Sequence, residues 1–156
     1  MRTEVRHDVP VLAAAPSAGG PLTLSARVVG AALVLATGWI HLDLWLDGYR
    51  DIRWIGPLFL GNVVVGALLA VVLLLAPERW LPPVALLAGL FEAVSLAALL
   101  LSLTVGLLGF TESWAAPLVV PTVLIEGAGF LLLAGFGTMQ LRRSRQHGLG
   151  GPPCRG

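Results

Sequence analysis

Four long apolar runs dominate this chain, at roughly 27–46, 57–76, 84–108 and 117–141. A helix rises 1.5 Å per residue, so about 20 residues cross a hydrocarbon core of ~30 Å. No run alternates with a period of two, which removes a strand reading. The runs are also too long and too uniformly apolar for helices buried in a water-soluble core. The pattern therefore predicts an all-α fold, a transmembrane four-helix bundle spanning residues 26–141. Pro57 suits a first helical turn, where its missing N–H costs nothing. Pro77 and the pair Pro82-Pro83 punctuate the turn between the second and third spans. Pro121, one turn inside the fourth span, is expected to bend that span's end.

Within these spans the polar residues fall on stripes. The first span carries Gly30, Val34, Thr37 and His41, and the second Asn62, Gly66 and Ala70. The third carries Ala88, Glu92, Ser95, Ser102 and Gly106, and the fourth Thr122, Glu126 and Gly129. Spacings of three and four keep side chains on one helix face. Small residues there let helices approach closely, and polar ones bond across the interface. The stripes are expected to face inward.

Composition strengthens the membrane reading. The chain has 156 residues, 56% hydrophobic and 12% charged, and a mean hydropathy of +0.86. A soluble domain carries about 25% charged residues. The formal net charge of +1 gives no reason to expect nucleic acid. Every basic residue is arginine, and Ala, Leu, Gly, Val and Pro abound, a bias that suggests a high-GC bacterial genome. The single cysteine, Cys154, can form neither an internal disulfide nor a CxxC site.

Arginine placement sets the expected orientation. Arg2, Arg6 and Arg27 precede the first span, Arg79 lies between the second and third, and Arg142, Arg143 and Arg145 follow the fourth. Only Arg50 and Arg53 lie at the opposite end. Both termini are therefore expected in the cytoplasm of a multi-pass inner (plasma) membrane protein. Residues 1–25 would form a disordered cytoplasmic tail, whose apolar part, Val9 to Ala15, is too short for a cleaved signal. Residues 142–156 would form a basic cytoplasmic tail. Trp45, Tyr49, Trp54 and Trp114 should sit at the outer interface and Trp80 at the inner one, where amphipathic rings settle.

Candidate chemistry is confined to groups at membrane depth, where a charge costs at least ~2.5–3.5 kcal/mol. These are His41, Glu92 and Glu126, with Asn62 as a neutral partner. Counted from the cytoplasmic end, His41, Asn62 and Glu126 each lie about 14–15 residues in, roughly 21–22 Å. Glu126 is therefore expected to face His41, with Asn62 as third partner. Glu92 lies about 8 residues in, level with Thr37, so the glutamates should not share a proton. Ser95 or a neighbouring carbonyl is the expected partner of Glu92. His41 and Asp43 point about 200° apart and cannot chelate one ion. Asp47, Arg50, Asp51 and Arg53 read as a solvated loop network. No Ser-His-Asp order, HExxH, P-loop or GxGxxG occurs. Hence no catalytic residue, metal ligand or cofactor is assigned.

The segment HLDLW…GYRDIRWIGPLFLGN, together with the glutamate of the fourth span, resembles a group of small four-span membrane proteins from high-GC Gram-positive bacteria. Their pattern at this place reads H-L-x-L…Y-R-x-I-P-x-I-G-x-L-F, and Arg53 stands here where the proline is expected. The resemblance covers nearly all four spans and singles out His41, Tyr49, Arg50, Gly56 and Phe59. It implies a topology and no activity. The outer loop of Tyr49, Arg50 and Asp51 is a further candidate site.

Three functional expectations follow. The first is a non-enzymatic accessory, assembly or partner-binding subunit, in contact with the bilayer and with a membrane-protein partner or its own copy. The second is a small transporter or proton-conducting protein using the His/Glu/Asn layer. The third is a haem- or quinone-binding redox subunit using His41.

Overall fold

The computed structural model describes residues 20–149, with side chains to residue 146. The remaining expected tail residues lie outside this range. Four helices make up the fold: α1 (Pro21–Leu46), α2 (Ile55–Leu75), α3 (Leu81–Thr104) and α4 (Val119–Leu149). Short 3-10 turns at Tyr49–Asp51 and Glu78–Trp80 join α1 to α2 and α2 to α3. All four helices are long and apolar enough to cross a membrane.

Their surface distribution is the reverse of a soluble protein's. Outward-facing positions are occupied by large aliphatics: Leu68 is 61% exposed, Val94 60% and Leu131 71%. Such a belt is tolerable in lipid and not in water. The stripes face inward. Gly30, Val34, Thr37, Gly66, Ala70, Ala88, Glu92, Ser95, Ser102, Thr122, Glu126 and Gly129 are buried.

The core mixes small and large residues, Ala31, Ala70, Ala85 and Ala88 with Val34, Leu69, Leu73, Leu81 and Leu133. Small residues replace the hydrophobic drive that lipid cannot supply. A methyl group added at Gly89 would come 3.0 Å from the backbone nitrogen of Ala134, so α3 and α4 touch almost backbone to backbone. Pairing is uneven. α1 packs most closely on α2 and α3 on α4, while α2 and α3 touch little despite being consecutive. The bundle is thus two tight hairpins meeting mainly along α1 and α4.

Arg27 fastens the first hairpin at its Arg79 end. Its guanidinium donates to the carbonyls of Leu73 (3.5 Å), Leu74 (3.3 Å) and Ala76 (2.7 Å). These carbonyls close α2 and have no partner within their own helix. At the other end Gly48 adopts φ 118° just past α1, a left-handed conformation that favours glycine.

Several boundaries differ from the hydropathy pattern. α3 begins at Leu81, so Pro82 and Pro83 lie in its first turn, where their missing N–H groups cost nothing, rather than in the turn before it. α1 begins at Pro21, so residues 21–25 of the expected tail are helical. α4 continues through the arginine-rich segment to Leu149. α3 stops at Thr104 although apolar sequence continues to Leu108, because Gly106 (φ 85°) turns the chain. Leu107 and Phe110 then exchange backbone hydrogen bonds of 2.7 and 2.8 Å around Leu108 and Gly109, both at positive φ. Two successive positive φ values mark a tight primed turn. Finally, α4 starts at Val119, which places Pro121 in its first turn. Proline is harmless there, so the bend expected at Pro121 has no cause.

Candidate functional site

Two short hydrogen-bond chains run across the bundle interior, and each ends on a buried carboxyl. In the first, Asn62 on α2 donates through Nδ2 to Ser95 Oγ on α3 at 3.0 Å. Ser95 donates its proton to Glu126 Oε1 on α4 at 2.6 Å. Because the hydroxyl's one proton goes to the carboxyl, its oxygen must accept from Asn62. Asn62 Oδ1 and Glu126 Oε2 are buried and have no partner among the described residues.

In the second chain, Thr37 on α1 donates to Glu92 Oε2 on α3 at 2.9 Å. Glu92 Oε1 is buried without a partner among the described residues. Gly129 on α4 makes room for this carboxyl, since a Cβ there would lie 3.0 Å from Glu92 Cδ. The backbone carbonyl of the same Thr37 lies 2.9 Å from His41 Nδ1. A carbonyl can only accept, so Nδ1 carries a proton towards Thr37.

The expected pairing of Glu126 with His41 is therefore corrected: Ser95 holds Glu126. The imidazole bonds to its own helix one turn back and packs edge-to-face on Phe59, with centroids 4.8 Å apart. Asn62 does join the layer of Glu126, through Ser95. Glu92 lies level with Thr37, and its partner is Thr37 rather than Ser95. Each glutamate has its own hydroxyl donor.

Beside these chains, where α2 and α3 diverge, lies a cleft of about 540 Å³. Its polar lining consists of His41, Asn62, Ser95, Ser102, Glu112 and Thr122; its remaining walls are aliphatic, aromatic, proline and glycine. The hydroxyls of Ser102 and Thr122 donate to carbonyls of Leu99 (2.8 Å) and Leu118 (2.6 Å).

An aromatic stack sits at one end of the cleft. Tyr49 stacks on Phe59 at 5.2 Å and 13°, and meets Phe110 edge-to-face at 5.6 Å. Its hydroxyl donates to Glu112 Oε2 at 2.6 Å. Burial, and then the bond to the Glu112 carboxylate, push the Tyr49 phenol well above the ordinary tyrosine range. Tyr49 therefore remains a neutral donor, and the bond ties the α1–α2 corner to the α3–α4 loop. Gly56 fits this corner for want of a side chain, because a Cβ would collide with the carbonyl of Arg50.

Among the outer-loop candidates, Tyr49 does not line the cleft but touches Phe59, Phe110 and Glu112, which do; Arg50 and Asp51 are not in the lining either. These two form an exposed pair at 3.9 Å, of a kind worth little. Arg53 stacks over Trp54 at 5.2 Å. Sequence reasoning missed Glu112. The available signal was its position as the sole acid in the loop between the third and fourth spans, at the same end of the bundle as the sole tyrosine.

Among the described residues, no group of three or more His, Cys, Asp or Glu side chains is arranged to hold a metal ion. Compared with known proteins, the chain matches no protein-family model, no curated protein and no solved structure.

Proposed function

We propose that this chain is a non-enzymatic, multi-pass membrane protein that binds a lipophilic small molecule arriving sideways from the bilayer between α2 and α3. The cleft carries this reading. Its rim includes Leu58, Val65, Leu87, Leu90 and Val94, all exposed. The opening is thus continuous with the lipid-facing surface. Its volume of about 540 Å³ lies within the ~300–1,000 Å³ usual for small-molecule sites, as do apolar walls with a few polar groups.

The arginine distribution supports a cytoplasmic location for both termini, in the plasma membrane of a bacterium. The Tyr49–Glu112 end then faces outward. The resemblance to small four-span proteins of high-GC Gram-positive bacteria agrees with this placement, and an accessory role beside another membrane protein is compatible with it.

The test is to purify the full chain in mild detergent and extract what accompanies it. A stoichiometric lipophile is expected from the wild type. Ala98→Phe, which fills the cleft wall, should lose it while keeping the helical circular dichroism. A wild type carrying nothing, or a variant carrying as much, would overturn the reading.

One observation favours a second reading, proton conduction: Glu92 and Glu126 each keep a buried oxygen without a partner among the described residues. In liposomes, Glu126→Gln should then abolish dissipation of a pH gradient by the protein. Unchanged flux in the variant would end this alternative.

A further inference from the structure

We infer that Arg142 and Arg145 hold the phosphate of an anionic phospholipid, in the leaflet at the Arg79 end of the bundle. The inference is independent of the cleft.

Among the described elements α4 packs only on α3 and α1. Its remaining side faces outward and carries one continuous exposed stripe: Leu124, Leu131, Thr138, Arg142 and Arg145. Steps of seven, seven, four and three residues keep these side chains on one face. Gly137 lies on a different side and turns towards α3, where a Cβ would meet Pro82 and Leu86. The lipid-facing stripe of α4 thus runs into two arginines on adjacent turns. The helix continues past them to Leu149, which holds both in register with the stripe.

Height follows from the Gly137 contact. A Cβ there would lie 3.0 Å from the backbone carbonyl oxygen of Pro82, so Gly137 is level with the first turn of α3. Trp80, 56% exposed just before that turn, marks the interface. Arg142 and Arg145 stand about 7.5 and 12 Å further along α4. The head-group layer outside the hydrocarbon core is about 5–8 Å deep in each leaflet. Long arginine stems reach back across the difference, which puts both guanidiniums at phosphate height.

Charge selects the ligand. Among the described residues this end carries five arginines against one acid, Glu78. The only acid on α4 is Glu126, in the bundle interior, so no carboxylate of the same helix neutralises the pair. Neither Arg142 nor Arg145 has an ion-pair or hydrogen-bond partner among the described residues. Side chains three apart on a helix have Cβ atoms about 5–6 Å apart. Two guanidinium forks at that spacing can engage the oxygens of one phosphate. A phosphodiester with no cation beside it keeps the full attraction, whereas a choline head sets its own cation against the arginines.

The experiment is native mass spectrometry of the full chain in detergent, titrated with equal dioleoylphosphatidylglycerol and dioleoylphosphatidylcholine. The wild type is expected to prefer phosphatidylglycerol. A basic residue near an anionic surface is worth about fivefold in affinity, so Arg142→Gln/Arg145→Gln should lower the preference about 25-fold. Both positions are exposed, and circular dichroism with melting confirms that the variant is folded. Arg50→Gln/Arg53→Gln removes the same charge at the opposite end and should leave the preference unchanged. Ala98→Phe, in the cleft wall, should also leave it unchanged. Sodium phosphate should displace no more lipid than sodium chloride of equal ionic strength. Equal binding of the two lipids, a preference that survives Arg142→Gln/Arg145→Gln, or an equal loss in Arg50→Gln/Arg53→Gln would overturn the assignment. Loss in Ala98→Phe would place the lipid in the cleft instead, and specific displacement by phosphate would make the ligand a free anion. Either result also overturns it.

Discussion

Removing one hydroxyl at Ser95 should unsettle three helices at once. The side chain accepts from Asn62 on α2 and donates to Glu126 on α4. Ser95→Ala leaves Glu126 with neither oxygen bonded and Asn62 with both ends free. Orphaning a buried polar group costs about 1–3 kcal/mol, although bonds between helices in membranes average only ~0.6 kcal/mol and reach ~1.7. Two bonds lost, one of them 2.6 Å long to a carboxyl, give an expected loss of about 2 kcal/mol. Ser102→Ala is the control, because that hydroxyl bonds only to Leu99 one turn back on its own helix; it should change stability by less than about 0.5 kcal/mol. The assay is equilibrium unfolding in mixed detergent–SDS micelles, followed by tryptophan fluorescence. The decisive step is the double variant Ser95→Ala/Glu126→Leu. Replacing both partners by apolar groups can be nearly neutral, so the two losses should fail to add by about 1 kcal/mol or more. Additive losses, with coupling below about 0.3 kcal/mol, would refute the bridge.

Other outcomes test the clasp and the cap. Arg27→Ala strips the last carbonyls of α2 of their donor and should cost about 1–2 kcal/mol, with faster hydrogen exchange at Leu73–Ala76; unchanged exchange there would contradict the clasp. Tyr49 is the only tyrosine, so absorbance at 295 nm titrates it alone. Its midpoint should lie above the ordinary value of about 10, and Glu112→Gln should lower it. Because the folded value is raised, the stability contributed is complete below the unfolded value and lost as pH climbs through the folded one. A midpoint near that of free tyrosine would show the hydroxyl unbonded. Gly56→Ala should destabilise the corner by about 1–3 kcal/mol, read in the same micelle assay, because the added methyl meets the Arg50 carbonyl.

The architecture was legible because it depends on run length and on spacings of three and four, both of which survive without tertiary knowledge. Depth counting also placed Glu92 level with Thr37 and Asn62 level with Glu126. What it could not supply was rotation. Each residue turns a helix by about 100°, so side chains at one height can still point to different neighbours. His41 and Glu126 share a height, yet the imidazole bonds locally to Thr37 and the carboxyl finds Ser95. Hydropathy likewise carried the third span to Leu108, because it weighs apolar residues without seeing that Gly106 and Leu108 take positive φ. Glu112 escaped attention since nothing local distinguishes a loop acid with a distant tyrosine from one in water. Its bond spans 63 residues of sequence.

The uneven packing also bears on how the chain is made. Each tight hairpin brings its own glycine and alanine contacts, and Arg27 closes the first before α3 is needed. Both intramembrane carboxyls belong to the second hairpin, and only Glu126 finds a donor there. Glu92 waits for Thr37 of the first. The later pair of helices alone would thus carry a polar group without a donor, so docking of the two halves completes the hydrogen bonding of the second.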